Sequence, residues 1–436
     1  MPLNAIKGPL KDGENNEIES THLYRVKGNQ FLSVIQEIRN QHGENVKLLP
    51  VSAGSAGGGI FQRAIDEDIV GIQFAAAVTP RASKQSHYNL SDIALDQIVI
   101  DQGNNKILAG AAITLEQLNE TLASHLGENF KVLGADLTSY TYAQVGSTFM
   151  TGGMGPQRRY FSDSVDQIAL FDGEVIRIVE EHELPAYAGT YGWTGIVTAI
   201  SCRFYQLPKN EIAFAMPVNN DPSSLAKLLS HLSDYTYLTT KDDLLQTDLG
   251  LTNCILGIEH ITADAMGPML AVKSETRIQR RAQQLKDKCA LADADGVVFI
   301  NGRSNNDVES FLFSLVDDVE SDAPTISGIA LEHTEIFNIA DEMRAVREAV
   351  PAAARGQASE GKYGFKGHTD ANIRLNRKQP KKAMEELWNA NTDYVSAVDR
   401  CFQEHPLVQG EILVYGHLNP YGVDPHNRVT LATDDQ

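Results

Sequence analysis

Residues 107–125 read ILAGAAITLEQLNETLASH, and they contain a change of period. The first residues, Lys106 to Ala111, are apolar and strand-like. From Thr114 onward, leucines recur at helical spacing, with Leu118 and Leu122 on one face. Thr114 has the residue type that caps a helix, so the spacing predicts a strand to Ala111 and a helix over Leu115–Leu126. Just upstream, Gln97-Ile-Val-Ile-Asp101 is a second strand, joined to the first through the turn residues Gln102-Gly-Asn-Asn105. A hairpin feeding a helix is therefore the first unit of the fold.

Similar units lie on either side. Residues 29–42 carry Phe31, Leu32, Ile35 and Ile38 at helical spacing, and Val46–Val51 reads as a short strand. Asp166–Val179 reads as strand, turn at Asp172-Gly173, strand, and Gly195–Leu207 as a buried strand. The expected organisation is a mobile arm over 1–18, an α+β domain with several hairpins over 19–209, and a second domain over 210–436. In the second domain, strands are expected at Ile212–Val218, Cys254–Glu259 and Gly296–Gly302. Helices are expected at Ser223–Leu232, 266–289 and Asp307–Val316. That alternation fits an α+β domain with an antiparallel sheet.

The chain has 436 residues and a formal net charge of -20, a surface that disfavours nucleic acid. Its four cysteines, Cys202, Cys254, Cys289 and Cys401, are far apart in sequence, which predicts free thiols in a reducing compartment. The polar N-terminus has no signal-peptide core, and no apolar run reaches the length of a membrane helix. The expected location is the cytoplasm, with peripheral membrane association as the other option.

Three glycine clusters stand out: Ser52–Gly59 (SAGSAGGG), Val145–Gly155 (VGSTFMTGGMG, expected as a loop) and Gly189–Thr198 (GTYGWTGIVT). Glycine lets main chain approach a phosphate closely. The first cluster fits neither a P-loop nor a dinucleotide fingerprint. Taken in order with the opening stretch and with DSVDQIALFDGEVI (163–176), the clusters resemble the PCMH-type FAD-binding domain of FAD-linked oxidases of the vanillyl-alcohol-oxidase type. The resemblance covers about 190 residues. It implies two subdomains that hold FAD, followed by a substrate (cap) domain. Gly54, Ser55, Gly57, Gly58, Val145, Gly146, Gly152, Gly153, Gly189, Gly195 and Ile196 are then the expected cofactor contacts. The family's paired glycine after the valine is Gly146-Ser147 here, and Phe161 stands where a glycine is expected. Residues 60–89 read as an insertion. No histidine lies in 52–59, so FAD is expected to be held non-covalently.

The second half resembles the D-2-hydroxyacid dehydrogenase branch, which acts on D-lactate, glycolate and D-2-hydroxyglutarate. The matching stretch is MRAVREAVPAAARGQASEGKYGFKGHTDANIRL (343–375). By motif, Arg347 and Lys366 become contacts to a substrate carboxylate, a role that suits a planar guanidinium fork. Taken alone, Arg347 is equally an Arg-Glu surface pair on a helix. The branch's metal-binding GHxGDGNLH corresponds to GHLNPYGVDPH (416–426). This implies His417 and His426 as ligands of zinc or manganese, with eight residues between them instead of six. The family's later EHG segment has no counterpart, and Asp424 or His368 are the substitutes at hand. On the residues alone, these histidines also read as the flanks of a hairpin turn.

The implied activity is oxidation of the CH–OH group of a small hydroxycarboxylate by hydride transfer to flavin N5, by a dehydrogenase rather than an oxidase. His417 is the candidate base or metal ligand, because imidazole titrates near neutrality. Two alternatives remain at this level. One is an FAD-binding subunit that works with a partner chain or as a homodimer. The other is a sugar or aldonolactone oxidase. The electron acceptor is not encoded in any motif.

Overall fold

The computed structural model describes residues 10–11, 17–18, 23–51, 70–75, 79–84, 88–137, 140–155, 159–219, 252–262, 276–317 and 333–337. It also describes a few single helical positions and, as backbone only, strands 365–370, 373–374, 410–419 and 422–431. The chain divides into two compact units. The first comprises Met1–Gly155 with Arg159–Gln206, and the second Pro156–Arg158 with Leu207–Gln436.

The first unit holds two principal sheets. A parallel three-stranded sheet is built from β1 (Leu23–Val26), β2 (Leu48–Pro50) and β3 (Val70–Phe74), with β3 in the middle. Helix α1 (Phe31–His42) buries Phe31, Val34, Ile35 and Ile38. Phe31 lies edge-on to both Phe74 and Phe171, with ring centroids 5.9 and 5.3 Å away. The second sheet has six strands: β4 (Arg81–Lys84), β5 (Gln97–Asp101), β6 (Lys106–Gly110), β7 (Val165–Phe171), β8 (Ile176–Glu180) and β9 (Ile196–Arg203). Their order is β8-β7-β9-β6-β5-β4, and every pairing is antiparallel except β4 with β5. Both of its faces are covered. Ile98 and Ile100 of β5 enter the main core, while Val99 packs with Leu108, Ala169 and Ala199 on the other side. That explains why β5 and β6 read as continuous apolar runs rather than as an alternation.

The opening stretch folds as its pattern predicts. Helix α2 spans Leu115–Leu126, with Leu115, Leu118 and Leu122 buried. The Thr114 hydroxyl accepts from the Gln117 N–H at 3.2 Å, and the Gln117 side chain accepts from the Thr114 N–H at 3.1 Å. This reciprocal box satisfies two otherwise orphaned amides.

Two expectations need correction here. Residues 60–89 are not simply an inserted loop. Val70–Phe74 is wholly buried and forms the central strand of the parallel sheet, because VGIQF is a short run covered on both faces. The second glycine cluster does not begin as a loop either. Val145–Thr151 is helix α3, which buries Val145, Thr148, Phe149 and Met150, and it stops at Gly152 in the left-handed conformation.

The second unit carries an eight-stranded sheet in which every described pairing is antiparallel. Its strands are β10 (Asn210–Val218), β11 (Asn253–Thr262), β12 (Gly296–Ser304), β13 (Glu335–Ile336), β14 (Phe365–Asp370), β15 (Gly410–Asn419) and β16 (Gly422–Leu431), plus Ile373–Arg374. The order is β13-β10-β12-β11-β15-β16-β14, with Ile373–Arg374 also on β16. Helices α4 (Thr276–Leu291) and α5 (Val308–Asp317) follow β11 and β12. Of the helix expected at Ser223–Leu232, only Leu228 and Leu232 are described; both are helical and buried. Cys202, Cys254 and Cys289 are buried free thiols, and Cys401 is an exposed one.

Candidate functional site

Two of the three glycine clusters meet in the first unit, and the entry to the third joins them. A Cβ on Gly152 would lie 3.4 Å from the Cα of Gly189, so the end of α3 packs main chain to main chain on the loop that precedes β9. A Cβ on Gly192, in the same loop, would lie 2.4 Å from Cγ of Pro50. Pro50 ends β2, and Val51 leads directly into Ser52–Gly59, which lies outside the described residues. Gly54, Ser55, Gly57 and Gly58 therefore have no described geometry, but Pro50, just before them, sits against Gly192. Nothing in the local sequence signals this convergence, since it joins residues about 140 apart.

The main-chain groups of the expected contacts are largely engaged within the protein. The Val145 N–H donates to Ile113 O at 2.8 Å, and that of Gly146 to Ala111 O at 3.3 Å. Gly152 and Gly189 both donate to Phe149 O, at 3.2 and 3.1 Å, and Gly153 donates to Thr148 O at 2.9 Å. Gly195 donates to Gly192 O at 3.4 Å, and Ile196 stands opposite Phe171 in the β7–β9 ladder. These residues can offer a ligand carbonyls and close Cα approach, but not fresh donors.

Other amides have no acceptor among the described residues. Between Gly189 and Gly195 the odd-numbered amides bond inward: Gly189, Tyr191 (to Met150 O, 2.7 Å), Trp193 (to Thr190 O, 3.1 Å) and Gly195. The N–H groups of Thr190, Gly192 and Thr194 have no acceptor among the described residues, and neither does that of Ser147. The Thr190 and Thr194 hydroxyls, 2.8 Å apart, close the turn. Backbone N–H groups on one loop are the kind of donor that an oxyanion uses. Residue-by-residue expectation singled out the glycines; the free donors belong to the residues between them. The residues present therefore fit a dinucleotide: a wall of side-chain-free backbone edged by N–H groups that have no acceptor among the described residues.

In the second unit, His417 and His426 do not bracket the turn. β15 continues to Asn419 and β16 resumes at Gly422, so both histidines lie inside paired strands. Apolar and turn residues alternate closely here, which hid the strand ends. His417 is opposite Asp424 on β16 and Glu259 on β11, whereas His426 is opposite Tyr415 on β15 and Asp370 on β14. Positions of like parity on paired strands belong to one face. One face of the ladder thus carries positions Glu259, His417, Asp424, His426 and Asp370, together with His368 and Lys366, which pair with Arg428 and Thr430. Glu259 is buried, 6% exposed. Its strand neighbour His260 is fully enclosed, and burial lowers its pKa from 6.5 to about 4. Arg347 lies outside the described residues, although Met343 and Val346, just before it, are helical and buried. Among the described residues, no group of three His, Cys, Asp or Glu side chains is placed to hold a metal ion. Also among the described residues, no helix is long and apolar enough to cross a membrane.

No protein-family model matches the chain, and no curated protein matches it. Solved structures do. Two of an alkyldihydroxyacetonephosphate synthase superpose over 94% of this chain and 69% and 68% of their own, each with a TM-score of 0.65, at 11% and 12% identity. A 4-ethylphenol oxidase from Gulosibacter chungangensis, solved with isoeugenol, superposes over 97% of this chain and 76% of its own, with a TM-score of 0.54 at 12% identity. The chain has the mixed α/β fold of these solved structures.

Proposed function

We propose that this protein is an FAD-dependent oxidoreductase. The observation that carries this reading is the contact of Gly152 with Gly189 and of Gly192 with Pro50, which brings the second and third glycine segments together, and the third against Pro50, with amides that have no acceptor among the described residues, in a fold shared with a 4-ethylphenol oxidase. Bound FAD would supply the hydride acceptor. The chain would supply a glycine wall and the amides of Ser147, Thr190, Gly192 and Thr194 for the dinucleotide.

At finer grain, the reading is oxidation of the CH–OH group of a small hydroxycarboxylate such as a D-2-hydroxyacid. It is supported by the residue pattern at 343–375 and 416–426 and by the register that gathers Lys366, His368, Asp370, His417 and His426 on one face. Arg347 and Lys366 would bind the carboxylate. His417 would take the hydroxyl proton, and His426 with Asp424 would supply further polar positions or, with His417, ligands for zinc or manganese. The fold is also that of a protein named a synthase, so turnover has to be tested separately from flavin binding.

The test has two stages. The purified protein should be yellow, or should bind added FAD with a rise in melting temperature; a colourless protein indifferent to FAD refutes the flavoprotein reading. Anaerobic addition of D-lactate, glycolate or D-2-hydroxyglutarate should then bleach the flavin. Bleaching only by aldonolactones would refute the hydroxyacid assignment, and no bleaching by any donor would favour a subunit that binds FAD without turnover. Arg347→Ala should raise KM strongly at unchanged FAD content.

A further inference from the structure

Gln144 is a polar side chain in an apolar place. It is 1% exposed and stands at the last position before α3, in extended backbone with φ -85° and ψ 145°. Ala143 and Val145 on either side of it belong to the main core, as does Phe74. The Gln144 Nε2 donates to Phe74 O at 2.9 Å, across 70 residues of sequence. Its own carbonyl accepts from three donors of α3: the Thr148 N–H, the Ser147 hydroxyl and the Thr148 hydroxyl, each at 2.9 Å. A methionine would fill the same space without an amide to desolvate. A buried amide costs free energy unless its bonds are made, and once made they fix one arrangement.

The two ends of the Gln144–Phe74 bond are the roots of two glycine clusters. β2 and β3 run parallel with Pro50 beside Ile72, and the Val51 N–H donates to Ile72 O at 2.8 Å. Val51, which leads into Ser52–Gly59, and Phe74 thus lie at the same end of the parallel sheet. The Ala75 N–H holds that end to Val26 O at 2.9 Å. At the other end of the bond, the cluster Val145–Gly155 begins at the residue after Gln144. The backbone there is pinned by a bridge between Gln144 and Thr114. The Leu115 N–H also donates to Ala143 O at 2.9 Å, and the Val145 N–H to Ile113 O at 2.8 Å. One side chain therefore joins the sheet that launches the first cluster to the helix that opens the second.

We propose that Gln144 is a positioning residue for the dinucleotide, a strut whose amide sets the separation of the first and second glycine clusters. This rests on the FAD reading above, in which Gly54, Ser55, Gly57 and Gly58 of one cluster and Gly146, Gly152 and Gly153 of the other are contacts of one cofactor. Gln144 itself is enclosed and acts through the backbone it holds. A ligand gripped by two segments loses affinity when one of them can drift, because binding must then also restrict that drift.

The test compares FAD affinity with stability. Gln144→Met keeps the volume and removes the donor. Gln144→Asn keeps an amide that is one methylene too short to reach Phe74 O. Thr114→Ala, which removes the cap of α2, is the control that destabilises the same unit without touching the strut. Each full-length, flavin-stripped protein is titrated with FAD by flavin fluorescence at a temperature where circular dichroism shows it folded, and its melting temperature is read separately. Both Gln144 variants should bind FAD about ten-fold or more weakly. Thr114→Ala should melt lower at parental FAD affinity. Without flavin, amide exchange should quicken at residues 48–51 and 145–153 together in the Gln144 variants. A merely structural glutamine would lower the melting temperature and leave the FAD affinity of the folded protein unchanged. The strut is refuted if Gln144→Met, or Gln144→Asn where the methionine variant does not fold, binds FAD with parental affinity. It is also refuted if Thr114→Ala loses as much affinity as they do. Failure of the unaltered chain to bind FAD would remove the flavoprotein reading and the strut with it, whereas equal binding by parent and variants removes the strut alone.

Discussion

Replacing Gly192 by alanine tests whether the contact with Pro50 holds the amide loop in place. Two effects add there. The backbone has φ +83°, which costs an L-residue roughly 1 kcal/mol. The new Cβ would also lie 2.4 Å from Pro50 Cγ and 2.9 Å from its Cδ, with the proline ring fixed at the end of β2. Overpacking of that kind costs about 1–3 kcal/mol, so Gly192→Ala should destabilise the first unit by about 2–4 kcal/mol. Gly189→Ala is the control. It has φ +74° and only Gly152 Cα nearby, at 3.9 Å, an ordinary contact, so the backbone effect of roughly 1 kcal/mol should stand alone. Urea unfolding of both variants gives the stability difference, and FAD fluorescence titration gives its functional counterpart. To make room, Gly192→Ala must lift the loop off Pro50, which moves the open amides of Thr190 and Thr194. Its FAD dissociation constant should rise by about ten-fold or more. If the two variants lose stability equally, the contact with Pro50 does not position the loop.

Two further predictions concern stability. His260 is buried neutral with a pKa of about 4 against 6.5 when unfolded, so both states are unprotonated above pH 6.5. As pH falls from 6.5 to 4 the unfolded chain takes up a proton that the folded one resists, and stability should drop by about 3 kcal/mol across that window. Unfolding midpoints at several pH values should show the decline, and His260→Gln should flatten it. Thr114→Ala removes the hydroxyl that receives the Gln117 amide and should cost about 1 kcal/mol, read as a lower urea midpoint at unchanged m-value.

The sequence was most informative where an element is local. Helix α2 begins and ends where its threonine cap and leucine period place it, and the turn between β5 and β6 coincides with Gln102–Asn105, although it is a 3₁₀ turn closed by Asn105 in the left-handed conformation. Legibility failed where burial overrides local character. VGSTFMT holds a glycine and three hydroxyls and looks like a loop, yet Gly146 is what lets α3 press against Ala111, just past β6: a Cβ there would lie 2.7 Å from Ala111 Cβ. Likewise Val70–Phe74 is too short for its period to be read, and only its place between β1 and β2 marks it as core. The candidate site was legible as a set of glycines, because glycine is conspicuous. Its donors were not, because which amides remain open is decided by hydrogen bonds to α3 that no local pattern announces.

The hairpin of β15 and β16 has a consequence for how this chain can change length. Its partners sum to a constant, from Gly410 with Leu431 to Asn419 with Gly422, without a bulge. If the two-residue connection is kept the sum stays odd, so a single residue inserted between His417 and His426 would send one histidine to the opposite side of the sheet. Two inserted residues would shift the pairing by one rung and leave both on the same side. While the connection between the strands keeps two residues, length variation here is quantised in pairs, and only changes of two keep both histidines on a common surface.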